Sequence, residues 1–274
     1  MGGIGSNLGI ATALHGRARG LAVELSLSWQ PVTDGVRRNL RGMLAAGARV
    51  HYADSMLQAV WNARRVVRRL FREGAAPFLL PIGATSAWSS LGYVAAGLEL
   101  AAQIRAGLLP MPDRLYVAAG SCGTAAGLIV GCRLAGLTSR VVAVRIAQRT
   151  LTNTPLLLWE TKRVAALLGD LDASARVRLA KHDVELVGGY AGSRYGAPTP
   201  EAEAALAWAG QRGGGRLTLE TTYTGKALAA CLDACRHSQA GEETILFWNT
   251  FNSAPFALAD SDEGLPPALR AVIL

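Results

Sequence analysis

Short β-branched runs alternate with longer stretches of helical period almost from end to end of the chain, and nothing else in the sequence narrows its folding options as much. Residues 21–27, 49–52, 78–82, 115–119, 141–146, 184–187 and 244–248 read as strands. Residues 8–19, 35–46, 55–73, 88–106, 124–135 and 155–168 read as helices, with further helices after Thr199 and after Thr224. Parallel neighbours cannot be joined by a hairpin, so strand–helix–strand succession predicts parallel sheets with helical crossovers. The expectation is an α/β protein of two domains, each a parallel or mostly parallel sheet flanked by helices. The smaller covers residues 1–82 and the larger residues 83–274.

The composition excludes several classes of protein. With 50% hydrophobic and 18% charged residues the chain buries a real core and is not disordered. The net charge of +8 raises the possibility of nucleic-acid binding. Lysine, however, occurs only at positions 162, 181 and 226, and the densest basic cluster is Arg64, Arg65, Arg68, Arg69 and Arg72. That spacing puts the arginines on one helical face, opposite Val60, Val67, Leu70 and Phe71, which reads first as a solvated face. Neither a nucleic acid nor a membrane is therefore an expected partner. Residues 115–132 approach membrane-span length, but Gly120, Ser121, Gly123 and Thr124 break them with turn chemistry. Four cysteines make no disulfide framework, and Cys231 and Cys235 have no second pair at metal spacing among the scattered His15, His51, His182 and His237. No metal is expected. The opening Met-Gly-Gly-Ile-Gly-Ser has no leader character, so a cytoplasmic location is expected.

In parallel sheets the ligand sits at the carboxyl ends of the strands. Gly120-Ser121-Cys122-Gly123-Thr124 follows a strand and opens a helix, so backbone N–H groups and a helix N-terminus converge where an anion would bind. A tight turn without ligand has the same composition. Gly2-Gly3-Ile4-Gly5-Ser6-Asn7 offers a second cluster of donors, or merely a helix cap through Ser6 or Asn7. Tyr223, in Thr222-Tyr223-Thr224-Gly225-Lys226, and Tyr195, in Tyr195-Gly196-Ala197-Pro198, read either as acid/base groups over a ligand or as rings packed at a helix entry.

Taken together, these segments resemble pyridoxal-phosphate enzymes of fold type II (tryptophan synthase beta-like), in particular the D-cysteine desulfhydrase and 1-aminocyclopropane-1-carboxylate deaminase group. Pro81-Ile82-Gly83-Ala84-Thr85-Ser86 with Leu91-Gly92-Tyr93 adds a further matching piece, in the same order. The resemblance implies that Gly120, Ser121, Cys122, Gly123 and Thr124 hold the phosphate of pyridoxal 5′-phosphate and that Asn7 bonds the pyridine 3′-oxygen. It implies that Ser6 meets the substrate carboxylate, that Tyr223 and Tyr195 act on the substrate side, and that Thr250 partners the pyridine nitrogen. A small amino acid is the implied substrate, α,β-elimination of D-cysteine the implied reaction, and a homodimer the implied assembly. Phe251 and Asn252 stand where the family has two glycines after Thr250. The family's Schiff-base lysine belongs to a segment before the Gly2-Gly3-Ile4 loop, whereas the first lysine here is Lys162. The chain is therefore read as an N-terminally truncated enzyme, inactive as it stands; the alternative is a lysine-free homologue that only binds a phosphorylated small molecule.

Overall fold

The structure is a computed structural model and describes residues 1–214, 217–237, 243–252 and 254–273. The chain divides into two compact units, Met1–Ala84 with Ser253–Leu274, and Thr85–Asn252. The C-terminal stretch thus groups with the first unit, although the sequence division assigns it to the second. The reason is hydrophobic: Leu265, Leu269 and Ile273 are buried in the first core, and Arg41 Nε donates to Ala259 O at 2.8 Å.

The first unit holds a parallel sheet in the order β1 (Gly2–Gly3), β2 (Glu24–Ser28), β3 (Arg49–Ala53). Leu25 pairs with Val50, and Gly2 with Leu27. Helices α1 (Asn7–Ala18), α2 (Asp34–Ala45) and α3 (Met56–Arg72) join or follow the strands. Ile4, Leu27, Leu40 and Met43 are fully buried between them. Two sequence expectations fail in this unit. Residues 78–82 form no strand, and Phe78 is 87% exposed. Pro77 and Pro81 bracket the segment, removing ladder donors and restricting the residues before them. On α3 the buried residues are Ala59 and Ala63, while Phe71 is 61% exposed, so the apolar face is rotated from the one expected. The arginine face is largely solvated. Arg64, Arg65, Arg68 and Arg72 are exposed, and Arg69 reaches Glu24 at 2.5 Å.

The second unit carries α4 (Ala87–Arg105), β4 (Arg114–Ala119), α5 (Gly123–Leu134), β5 (Arg140–Arg145), α6 (Thr154–Leu171), β6 (Glu185–Val187), α7 (Pro200–Arg212), α8 (Thr224–His237) and β7 (Ile245–Phe247). Its parallel sheet runs in the order β6-β5-β4-β7. Leu115, Val117, Val141 and Ala143 pack toward α4, α5 and α6; Tyr116, Ala118, Val142, Val144 and Ile146 pack toward α7 and α8. This is the period-2 alternation of strands buried on both faces. The chain moves from β4 outward through β5 to β6 and then returns to the other side of β4 with β7. That reversal makes the gap between β4 and β7 the topological switch point, where open parallel sheets bind ligands at their carboxyl ends. A final helix, α9 (Pro267–Ile273), belongs to the first unit. No helix among the described residues is long and apolar enough to cross a membrane.

Candidate functional site

Gly120 leaves the carboxyl end of β4 at the switch point, and Thr250 lies just beyond the carboxyl end of β7 on the other side of it. The Gly120–Thr124 turn is shaped by Cys122, whose φ of 70° puts a non-glycine residue in the left-handed region. Cys122 is the residue before α5, and no side chain caps this helix. Ser6, Thr33, Ser55, Ser86, Asn153 and Thr199 all cap the helices that follow them through a side-chain oxygen. The Cys122 side chain makes no such bond at the start of α5, and the positive end of a helix dipole favours an anion.

The surroundings of this turn are polar and closely built. Thr85 Oγ1 donates to Ser121 Oγ at 2.5 Å, and the Thr152 hydroxyl donates to the carbonyl of Gly120. A Cβ on Gly123 would stand 3.1 Å from Thr85 Oγ1 and 3.3 Å from Ser90 Oγ. Ser90 is buried, and its hydroxyl has no hydrogen-bond partner. Burial, with Glu160 nearby, pushes the Cys122 thiol up to about 12, so it is an inert structural thiol and not a nucleophile.

Tyr223 reaches the same turn from just before α8: its Cε1 lies 3.5 Å from where a Cβ on Gly120 would be. The Tyr223 and Tyr195 hydroxyls hydrogen-bond each other, and the two rings meet edge to face at 6.1 Å. Burial raises both phenols above the ordinary tyrosine value, Tyr223 well above it because Tyr195 and Glu220 add to the effect. Both hydroxyls therefore stay protonated and serve as donors.

Glu220, which the motif reading passed over, fastens Tyr223 in place. Its carboxylate accepts from the N–H groups of Thr222, Tyr223 and Thr224 at 2.7, 2.8 and 2.9 Å. Thr224 is itself buried, with its hydroxyl turned to Glu220. A carboxylate four residues before a helix-opening threonine is the only sequence signal for this cap. Lys226, on the next turn, is completely buried, and its amine donates to Ala191 O at 2.7 Å. Lys162 is exposed on α6, and the side chain of Lys181 lies outside the described residues.

In the first unit, Ser6 Oγ accepts from Gly9 N at 3.0 Å as the cap of α1, and Asn7 Oδ1 accepts from Asn39 Nδ2 at 3.0 Å. Asn39 Nδ2 also donates to Gly5 O at 2.9 Å, and Gln30 Oε1 accepts from Gly5 N at 3.1 Å. The Gly2–Asn7 loop is thus braced by two amides, Gln30 and Asn39, that no local pattern points to. Among the described residues no group of three or more His, Cys, Asp or Glu side chains could hold a metal ion.

Comparison with known proteins identifies the family. Residues 2–250 match the family model described as pyridoxal-phosphate dependent enzyme. The chain is 36% identical over 204 residues to nocardicin C-9′ epimerase of Nocardia uniformis subsp. tsuyamanensis, covering 73% of this chain and 60% of that protein. It is 31% identical over 183 residues to D-cysteine desulfhydrase of Yersinia enterocolitica, covering 66% of this chain and 52% of that protein. A crystal structure described as an ACC deaminase homologue superposes with a TM-score of 0.74 at 28% identity, covering 89% of this chain and 70% of that one. The chain thus spans a little over half the length of these two curated relatives. The uncapped start of α5, the glycine-lined turn and the orphaned Ser90 hydroxyl fit the phosphate of the cofactor for which the family is named. The chain belongs to the family of pyridoxal-phosphate dependent enzymes.

Proposed function

We propose that this chain carries the cofactor- and substrate-handling part of an enzyme that works at the α-carbon of a small amino acid, with α,β-elimination of D-cysteine as its reaction. In that reaction D-cysteine and water become pyruvate, ammonia and hydrogen sulfide. The observation that carries the reading is the protonated Tyr195–Tyr223 pair beside Gly120, at a turn whose helix start has no side-chain cap. When bound, pyridoxal phosphate supplies the electron sink for the pair left at the α-carbon. Gly120, Ser121, Cys122, Gly123 and Thr124 would hold its phosphate and Thr250 its ring nitrogen. A hydroxyl at position 250 draws ring electrons less than a charged partner would, which favours elimination over transamination. A phenol held protonated is an acid, so Tyr223 donates toward the departing sulfur rather than abstracting the α-proton.

Abstraction of the α-proton needs an amine that also anchors the cofactor. None of Lys162, Lys181 and Lys226 stands where the resemblance implies that amine, Lys162 is exposed on α6 and Lys226 is tied to Ala191, so the chain by itself is expected to release no sulfide. The test is to add the cofactor, reduce with borohydride, map adducts by mass spectrometry and assay sulfide and pyruvate from D-cysteine, with ammonia and 2-oxobutyrate from the cyclopropane substrate as the contrast. A stoichiometric adduct on one of the three lysines together with sulfide release would overturn this assignment. A homodimer belongs to the same proposal and is read by sedimentation.

The 36% identity to an epimerase favours a second reading, in which the proton returns to the α-carbon and no bond to the β-substituent breaks. Deuterium from solvent would then enter the α-position without keto acid. Binding without chemistry is the remaining alternative: Tyr223→Phe would leave affinity for a phosphorylated ligand unchanged, and no turnover would appear under any condition.

A further inference from the structure

Lysine is almost never fully buried without a charged partner, yet Lys226 is the largest fully buried side chain among the described residues. It makes no ion pair among those residues, and its amine spends its hydrogen bond on a backbone oxygen, Ala191 O at 2.7 Å. Burial lowers its pKa to about 8, with Glu220 pulling the other way. Burial of the amine carries a desolvation cost.

Ala191 lies in the connection between β6 and α7. That connection has no regular structure, and Gly189, Gly192 and Gly196 bend it with φ of 106°, 78° and 77°. Among the described contacts, three tie it through side chains to α8 or to the residue that precedes α8. Tyr190 OH donates to Asp233 Oδ2 at 2.9 Å, Lys226 Nζ donates to Ala191 O, and Tyr195 meets Tyr223. The middle contact comes from a fully buried side chain, and it grips the main chain itself. A side chain can rotate away from its partner, whereas a carbonyl held from a buried position fixes where the following residues start.

We propose that Lys226 is a positioning residue whose buried amine fastens the Ala191 backbone to α8 and so sets the Tyr195 hydroxyl against that of Tyr223. The importance of that register for chemistry rests on the function proposed above; the tether itself does not, and its readouts need neither cofactor nor turnover.

The experiment compares wild type, Lys226→Met and Tyr195→Phe. Methionine fills similar volume with no donor. In a folded Lys226→Met variant, tryptic cleavage after Arg194 in this connection is expected to speed up by about tenfold relative to other sites, the scale of one lost buried hydrogen bond. The ultraviolet titration of the buried tyrosines should also move down toward the ordinary value as water reaches them. Lys226 is already neutral where tyrosines titrate, so loss of its charge does not confuse that direction. Tyr195→Phe keeps the tether, and cleavage after Arg194 should stay within about twofold of wild type, well under the loss of one buried bond. A folded Lys226→Met protein with either readout unmoved overturns the proposal. If that variant does not fold, Tyr195→Phe decides: a tenfold faster cut there means that the tyrosine pair, not Lys226, holds the connection.

Discussion

Glu220 and Tyr223 show how much at this site depends on single side chains. Glu220 collects three backbone N–H groups at the entry of α8, the task that Ser, Thr or Asn performs at most other helices here. Glu220→Ala is expected to cost about 1–2 kcal/mol, the upper range for a lost helix cap, read as a lower melting temperature. Tyr223→Phe removes only the donor. For the proposed elimination, kcat should fall by about 10²-fold with little change in KM, as for a proton donor used in the transition state. Lys226 gives the residue scale a pH signature. Its folded pKa is below its unfolded value, so the unfolded chain binds more protons between about 8 and 10.5, and stability contributed by this group rises with pH across that window. Melting temperature measured from pH 8 to 10 should climb less steeply in Lys226→Met than in wild type.

At the scale of elements, the site depends on how closely α4 and α5 approach. A Cβ on Gly127 would stand 2.4 Å from Ser90 O, and one on Gly131 would stand 2.4 Å from Val94 O. These glycines let the two helices touch through their backbones, which holds Thr85 and Ser90 against the start of α5. Gly127→Ala is expected to cost about 1–3 kcal/mol by overpacking and to weaken pyridoxal-phosphate binding measured by fluorescence, because the helix start would shift relative to Thr85. Gly210, where a Cβ would meet nothing within 4 Å, supplies the control: Gly210→Ala should leave both measurements near wild type.

At the scale of the whole molecule, each unit holds an ion-paired carboxyl that is lowered in the folded state, Glu24 in the first and Asp183 in the second. Burial raises the Glu24 carboxyl, but hydrogen bonds from His51 and Arg69 outweigh it and hold the group below its ordinary 4.5. Burial likewise raises Asp183, and the Ala180 N–H with Arg133 outweighs it, holding the group below 3.8. Carboxyls lowered in the folded state contribute fully above their unfolded values, and that contribution is lost as pH falls through the lowered ones. Melting followed from pH 6 to 3 should therefore show an acid limb that flattens in Glu24→Gln for the first unit and in Asp183→Asn for the second. An unchanged limb in both variants would place the acid sensitivity elsewhere.

Local pattern and chemistry determined most of the element order, because strand and helix periods are local properties, and they singled out the turn at residues 120–124 as a candidate anion site, because glycine, serine and threonine at a helix start are legible in five residues. Motif order likewise carried the family, since the matching segments recur in register along the chain. The tertiary structure decided what depends on distant partners. Residues 78–82 have a strand's apolar composition but no strand, since Pro77 and Pro81 deny them a ladder. The buried side of α3 is set by the sheet it packs on, and so falls on Ala59 and Ala63. The last residues join the first unit because Leu265, Leu269 and Ile273 find their core there. Asn39, Gln30 and Lys226 acquire their roles only when folding brings carbonyls and amides from remote segments within hydrogen-bond reach, and no window of neighbouring residues contains that information.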